Sequence, residues 1–155
     1  MLQAIQDPLV RACTGVVFAG AITGVEPREE RHMARILIVD DEQQIRLMLR
    51  QMLERLGHVV AEAAGGNQAV RSYREDPADI VIMDLIMPDK EGIETITEIR
   101  RDYPDARIVA MSGGGRMGPG NYLELANRLG AQRTLVKPFS MADIQEVIED
   151  LLKTP

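Results

Sequence analysis

The run Ile80-Val81-Ile82-Met83, closed on either side by Asp79 and Asp84, does most to limit what this chain folds into. Four consecutive apolar residues are too few for an ordinary buried helix. Without polar alternation they suit a strand covered on both faces, as in a parallel sheet. Asp84 then stands at the strand's carboxyl end, the edge at which open α/β sheets bind ligands. An aspartate there also serves to open a turn or cap the next segment, so position alone does not give it a chemical role.

The same pattern recurs along the chain. Ile36-Leu37-Ile38-Val39 runs into Asp40-Asp41, and Val59-Val60-Ala61, Ile108 to Met111 and Thr134-Leu135-Val136 read as further strands. Between them, apolar residues at helical spacing predict helices over Gln43 to Leu56, Asn67 to Arg74, Ile93 to Tyr103, Tyr122 to Leu129 and Met141 to Leu152. Gly57, Pro77, Pro104 and Gly130 mark their ends, and Ser140 is the N-cap expected for the last helix. Five strands alternating with five helices predict the α/β class: a doubly wound five-stranded parallel sheet with right-handed crossovers and helices on both faces. The flavodoxin-like order 2-1-3-4-5 suits this size and sets the ends of the first and third strands side by side.

Composition excludes several functions. Net charge is −6, which is not the basic footprint of a nucleic-acid binder, and 3% aromatic content with no Trp removes stacking platforms for single strands. No apolar run reaches the roughly 20 residues of a membrane span. Cys13 is the sole cysteine, so an intrachain disulfide or thiolate cluster is excluded and a reducing cytoplasm is expected.

Residues 1–33 read as an N-terminal extension, flexible or loosely docked, ahead of a folded domain at 34–155. Ala12 to Val25 is small and apolar, whereas Glu26 to His32 is densely charged. Asp7 and a lone Arg11 stand where a signal peptide carries a basic start, which argues against export. An arm, a short docked helix, or sequence upstream of a start at Met33 stay open.

The predicted strand order brings Asp40, Asp41 and Asp84 to one mouth. Two carboxylates about 5 Å apart repel by roughly 3 kcal/mol at an effective dielectric near 20, so three together call for a cation. Magnesium fits, since it takes one or two carboxylates while keeping waters and a phosphate oxygen. Asp40-Asp41 also suits the N-terminus of the following helix, a purely structural reading. Ser112 follows the fourth strand and Lys137 the fifth. Lys137 is one of three lysines in an arginine-rich chain, and an ammonium on a flexible stem reaches a phosphoryl oxygen well. Pro138 leaves the preceding backbone extended and allows a cis bond.

Asp40-Asp41, Asp84 with Met87-Pro88 and Gly92, Ser112, and Lys137-Pro138-Phe139 together resemble the receiver domain of bacterial two-component response regulators, over residues 34 to 153. The resemblance implies a phosphoacceptor signalling protein, not a conventional enzyme, that catalyses its own phosphorylation and slow dephosphorylation. It implies that Asp84 takes the phosphoryl group from a phosphohistidine on a sensor histidine kinase or histidine phosphotransfer protein. Asp41, Asp84 and the backbone carbonyl of Ile86 would hold Mg2+, with Asp40 acting through a water, while Ser112 and Lys137 would bind phosphoryl oxygens. The chain ends soon after the fifth helix, from which the expected output is contact with a downstream protein target, involving neither nucleic acid nor membrane.

Two departures from that pattern stand out. Thr134 occupies the position where receivers usually carry Tyr or Phe, so the usual aromatic switch is in doubt. The stretch Ser112 to Gly120 is long and glycine-rich, and its ordering around the phosphoryl group is the switch expected instead. Ile86, apolar where a polar side chain guides water, suggests slow self-hydrolysis. His32 and His58 have no evident partner for metal or relay chemistry.

The same residues are compatible with two rival readings. An aspartate-nucleophile phosphatase or phosphotransferase of the haloacid-dehalogenase type needs an acid two residues after the nucleophile; position 86 is Ile, but Glu42 keeps Asp40 open as a nucleophile. A pseudo-receiver that binds partners without phosphorylation is the other, and the presence of both Asp84 and Lys137 argues against it.

Overall fold

The computed structural model describes residues 33–88, 91–113 and 119–153, the side chains of 119, 120 and 122 excepted. The expectations for residues 1–32 and for the loop at 114–118 lie outside these residues. Ten elements alternate: β1 (Arg35–Val39), α1 (Gln43–Arg55), β2 (Val59–Ala63), α2 (Gly66–Glu75), β3 (Ile80–Asp84), α3 (Gly92–Asp102), β4 (Ile108–Ser112), α4 (Pro119–Arg128), β5 (Arg133–Val136) and α5 (Met141–Lys153). The strands form one parallel sheet in the order β2-β1-β3-β4-β5, as the sequence pattern predicts. No helix among the described residues is long and apolar enough to cross a membrane.

The uninterrupted apolar strands are buried because both faces are covered. Every residue of β3 and β4 is buried. Ile36, Ile38, Ile80, Ile82, Val109 and Met111 pack on one side with Leu49 and Leu53 of α1 and Ile144, Ile148 and Leu151 of α5. Leu37, Val39, Val81, Met83 and Ala110 face the other side, against Val70 and Tyr73 of α2, Ile96 and Ile99 of α3 and Ala126 of α4. Successive strand residues thus feed two separate cores, which is the period-two rule applied to a sandwiched sheet.

Two helices end on glycine in the left-handed region. Gly57 (φ +91°) follows α1, with its N–H on the Glu54 carbonyl and the His58 N–H on the Leu53 carbonyl. Gly130 (φ +113°) closes α4 through the equivalent bonds to Asn127 and Ala126. Both are Schellman stops, and only glycine adopts such φ values without strain. At α5, Ser140 caps as expected: its Oγ accepts from the Asp143 N–H at 3.2 Å, while the Asp143 carboxylate accepts from the Ser140 N–H at 2.6 Å.

Two boundaries differ from the sequence pattern by more than one residue, each for a physical reason. β2 extends to Ala63, past the predicted end at Ala61, because Glu62 is held in the strand by Arg46 and Arg50 of α1 and needs no apolar signal. α4 starts at Pro119 instead of Tyr122; proline's fixed φ and missing N–H suit a first helical turn. His58 is structural: its Nδ1 accepts from the Ala34 N–H at 3.3 Å, and burial lowers its pKa.

Candidate functional site

The parallel register brings four strand ends to one rim. Val39 pairs with Met83, so Asp40 and Asp84 are the next residues of adjacent strands. Asp84 pairs with Met111 and Ser112 with Val136, which carries Lys137 to the same edge, its N–H donating to the Ser112 carbonyl at 2.9 Å. The Lys137–Pro138 peptide is cis.

The side chains converge as the sequence predicts. Lys137 Nζ donates to Asp40 Oδ2 at 2.8 Å and to Asp84 Oδ1 at 3.2 Å. Asp40 is fully buried and Asp84 is 5% exposed, whereas Asp41 lies open to solvent. Oxygen atoms of all three carboxylates fall within 4.8 Å of one another. Ser112 is fully buried beside them, and among the described residues its Oγ has no hydrogen-bond partner. Ile86 is exposed and lines a cleft of about 540 Å³ with Glu42, Asp84, Lys137, Ile45, Met48 and Phe139. Its wall is largely apolar, and Gly113 opens its rim where a Cβ would press on the Lys137 stem.

These contacts set the charge states. Burial pushes Asp84 up from 3.8 to about 6; Lys137 pulls it down, and the nearby Asp40 and Asp41 push it up further. Burial would lower Lys137, but its hydrogen bond to Asp40 and the fields of Asp84 and Asp40 outweigh that and raise it. Asp84 is therefore ionised at neutral pH at a cost to the fold. The folded chain keeps a proton that the unfolded chain releases between about pH 4 and 6, so the Asp84 contribution to stability falls as pH rises through that window. Asp84→Asn is expected to stabilise the metal-free domain by about 1–2 kcal/mol at pH 7, with an advantage that shrinks toward pH 4. Urea midpoints in EDTA at the two pH values measure it; an equal difference at both would contradict the burial cost.

The donor set is all hard oxygen, and three crowded carboxylates with one ammonium leave excess negative charge. That chemistry fits a divalent cation such as Mg2+. The unpartnered Ser112 hydroxyl on the same rim fits an anionic oxygen as acceptor. One contributor carries no signal in the sequence. Arg46, on the first turn of α1, has its guanidinium against the Asp40 and Asp41 backbone, yet its letter is that of any charged residue on a solvated helix face.

Residues 36–149 match the response regulator receiver domain family. The chain is 38% identical to the chemotaxis protein CheY of Thermotoga maritima over 120 residues, which is 77% of this chain and 98% of that protein. It is 40% identical to CheY of Bacillus subtilis over 119 residues, 76% and 97% of the two. Among solved structures, the Vibrio cholerae chemotaxis protein CheY4 superposes with a TM-score of 0.70 at 28% identity, covering 77% of this chain and 98% of that one. Response regulator TrrA of Thermotoga maritima, solved in complex with Mg2+-BeF, superposes at 0.69 with 31% identity, covering 77% and 99%.

Proposed function

The chain belongs to the response regulator receiver domain family, and from that membership we propose that Asp84 accepts a phosphoryl group in a Mg2+-dependent reaction. The donor is a phosphohistidine on a sensor histidine kinase or histidine phosphotransfer protein in the cytoplasm. The product state changes affinity for a downstream protein target. One observation carries the reading: Lys137 Nζ bridges Asp40 and Asp84 beside the unpartnered Ser112 hydroxyl, so nucleophile, cation and donor share one rim.

In this reading an Asp84 carboxylate oxygen attacks phosphorus as the P–N bond to the donor imidazole breaks and the electron pair returns to that nitrogen. A pKa near 6 leaves the carboxylate ionised and nucleophilic at neutral pH. Lys137 shifts from the carboxylates to a phosphoryl oxygen, and Ser112 Oγ donates to another, so charge spreading over those oxygens is met by groups already in place. Asp41, Asp84 and the Ile86 carbonyl would hold Mg2+, with Asp40 acting through a water. The ion supplies neutralisation of phosphoryl charge when bound. Ile86 itself offers no side-chain group to orient a hydrolytic water, which supports slow self-hydrolysis of the aspartyl phosphate and leaves Glu42 as the cleft's polar side chain besides Asp84 and Lys137.

Intact-mass spectrometry after incubation with acetyl phosphate and Mg2+ tests the reading. One phosphoryl group is expected on the unaltered chain and none on Asp84→Asn or in EDTA. Continuous phosphate release from many monoesters would instead indicate a phosphatase, and absence of both reactions a phosphorylation-independent module; either result overturns it.

A further inference from the structure

Lys137 holds two of the three clustered acids and leaves the third to other means. The Asp40 carboxylate is pinned on both oxygens, by Lys137 and by the Glu42 N–H at 2.8 Å, and Asp84 shares the same ammonium. Asp41 is exposed, and among the described residues its carboxylate accepts no hydrogen bond. Its direction is therefore set by its backbone. The Glu42 N–H bond to Asp40 holds one side of that backbone, and a single guanidinium nitrogen holds both of its carbonyls: Arg46 Nη1 donates to the Asp40 carbonyl at 2.8 Å and to the Asp41 carbonyl at 3.1 Å. Behind it, Arg46 Nε donates to Glu62 on β2 at 3.3 Å, with side-chain exposures of 14% and 27% for the pair.

We propose that Arg46 is a positioning residue for the divalent cation, acting through the Asp40 and Asp41 carbonyls to aim the Asp41 carboxylate into the cluster. The proposal rests on the Mg2+ reading above. Two consecutive carbonyls on one guanidinium nitrogen fix the peptide planes on either side of the Asp41 Cα, and with them the direction of its Cα–Cβ bond. Without Arg46 the 40–41 plane loses its carbonyl's partner and the 41–42 plane keeps only the Glu42 N–H bond to the Asp40 carboxylate, so Asp41 must be ordered further when the metal arrives, at a cost to affinity. Glu62 completes the device in two ways. It anchors the guanidinium from the sheet, and its charge offsets a cation that would otherwise oppose the metal's field. Arg50 shares Glu62 but makes no contact with the Asp40-Asp41 backbone, so it separates the charge pair from the clamp.

Calorimetric titration of the full chain with MgCl2 tests this. Arg46→Gln is expected to weaken Mg2+ binding about 10-fold, the usual loss when a supporting partner of a metal ligand is removed. Arg46→Lys should recover part of it, since an ammonium donates to the carbonyls without the planar grip. Arg50→Gln should lower the unfolding midpoint and leave the Mg2+ Kd unchanged. An unchanged or tighter Kd in Arg46→Gln overturns the clamp. Should that variant fail to fold, a wild-type Kd in Arg46→Lys overturns it equally. An unaltered chain that takes up no Mg2+ overturns the site reading and this inference together, whereas Mg2+ uptake that is insensitive to Arg46 overturns this inference alone.

Discussion

Alanine at position 92 is expected to cost the domain about 3 kcal/mol or more, a large share of the roughly 5–15 kcal/mol that holds a fold of this kind together. A Cβ on Gly92 would lie 2.0 Å from the Asp84 carbonyl oxygen and 2.7 Å from the Leu85 Cα. Both atoms are backbone, so no rotamer relieves the overlap. The start of α3 must instead retreat from the end of β3, breaking the 3.2 Å bond from the Gly92 N–H to the Leu85 carbonyl. It would also lift Thr95, Ile96 and Ile99 from their buried positions. Since the displaced carbonyl belongs to Asp84, Mg2+ binding should weaken along with stability. Gly65→Ala is the matched control. Gly65 has extended backbone (φ −178°), and no atom lies within 4 Å of where the alanine methyl would stand. Its loss should stay under about 1 kcal/mol, the scale of a helix-cap change. Equal urea midpoints for the two variants would show that α3 and β3 are not in close contact.

Lys137→Met is the second large effect, and it acts on stability and rate together. Removing the ammonium leaves Asp40 and Asp84 buried without their shared partner, which is expected to cost about 3 kcal/mol in the metal-free domain at pH 7. The raised Lys137 pKa means its stabilisation is fully present at neutral pH and is lost only on titration well into the alkaline range, so the variant lacks it throughout the working range. Without that positive field the Asp84 pKa should climb above its present value of about 6. The variant should therefore regain stability as pH is lowered from 7 toward 5, more steeply than the unaltered chain. Phosphoryl transfer from acetyl phosphate should slow by about 10²–10³-fold, because one donor aimed at the developing charge is lost. Lys137→Arg keeps the charge and should restore stability further than rate, since the planar fork cannot follow the phosphoryl oxygen as a compact ammonium does. A variant with unchanged transfer kinetics would remove Lys137 from the chemistry.

Both predictions turn on the same rim, and most of that rim was legible in the chain itself. The apolar runs at 36–39, 80–83 and 108–111 could be sandwiched strands only, and the glycines at 57 and 130 fall where left-handed helix stops are required. Strands of that kind joined through helices leave the doubly wound sheet as the compact solution, and its switch point places Asp40, Asp84 and Lys137 together from chain order alone. Local pattern reaches this far because hydrophobic period and backbone stereochemistry are properties of neighbouring residues.

What the chain order could not decide is how the acids are held. That Lys137 bridges Asp40 and Asp84, that Ser112 is sealed with its hydroxyl unpartnered among the described residues, and that any side chain at position 92 would run into the Asp84 carbonyl all follow from strand register and helix placement. The role of Arg46 is the sharpest case. Only the packing of α1 beside the end of β2 turns its guanidinium onto two carbonyls with Glu62 behind it. The sequence determined which groups arrive at the rim, since hydrophobic burial fixes the topology. Tertiary structure decided which of them are braced, because hydrogen bonds of about 3 Å depend on positions set by the whole packed core.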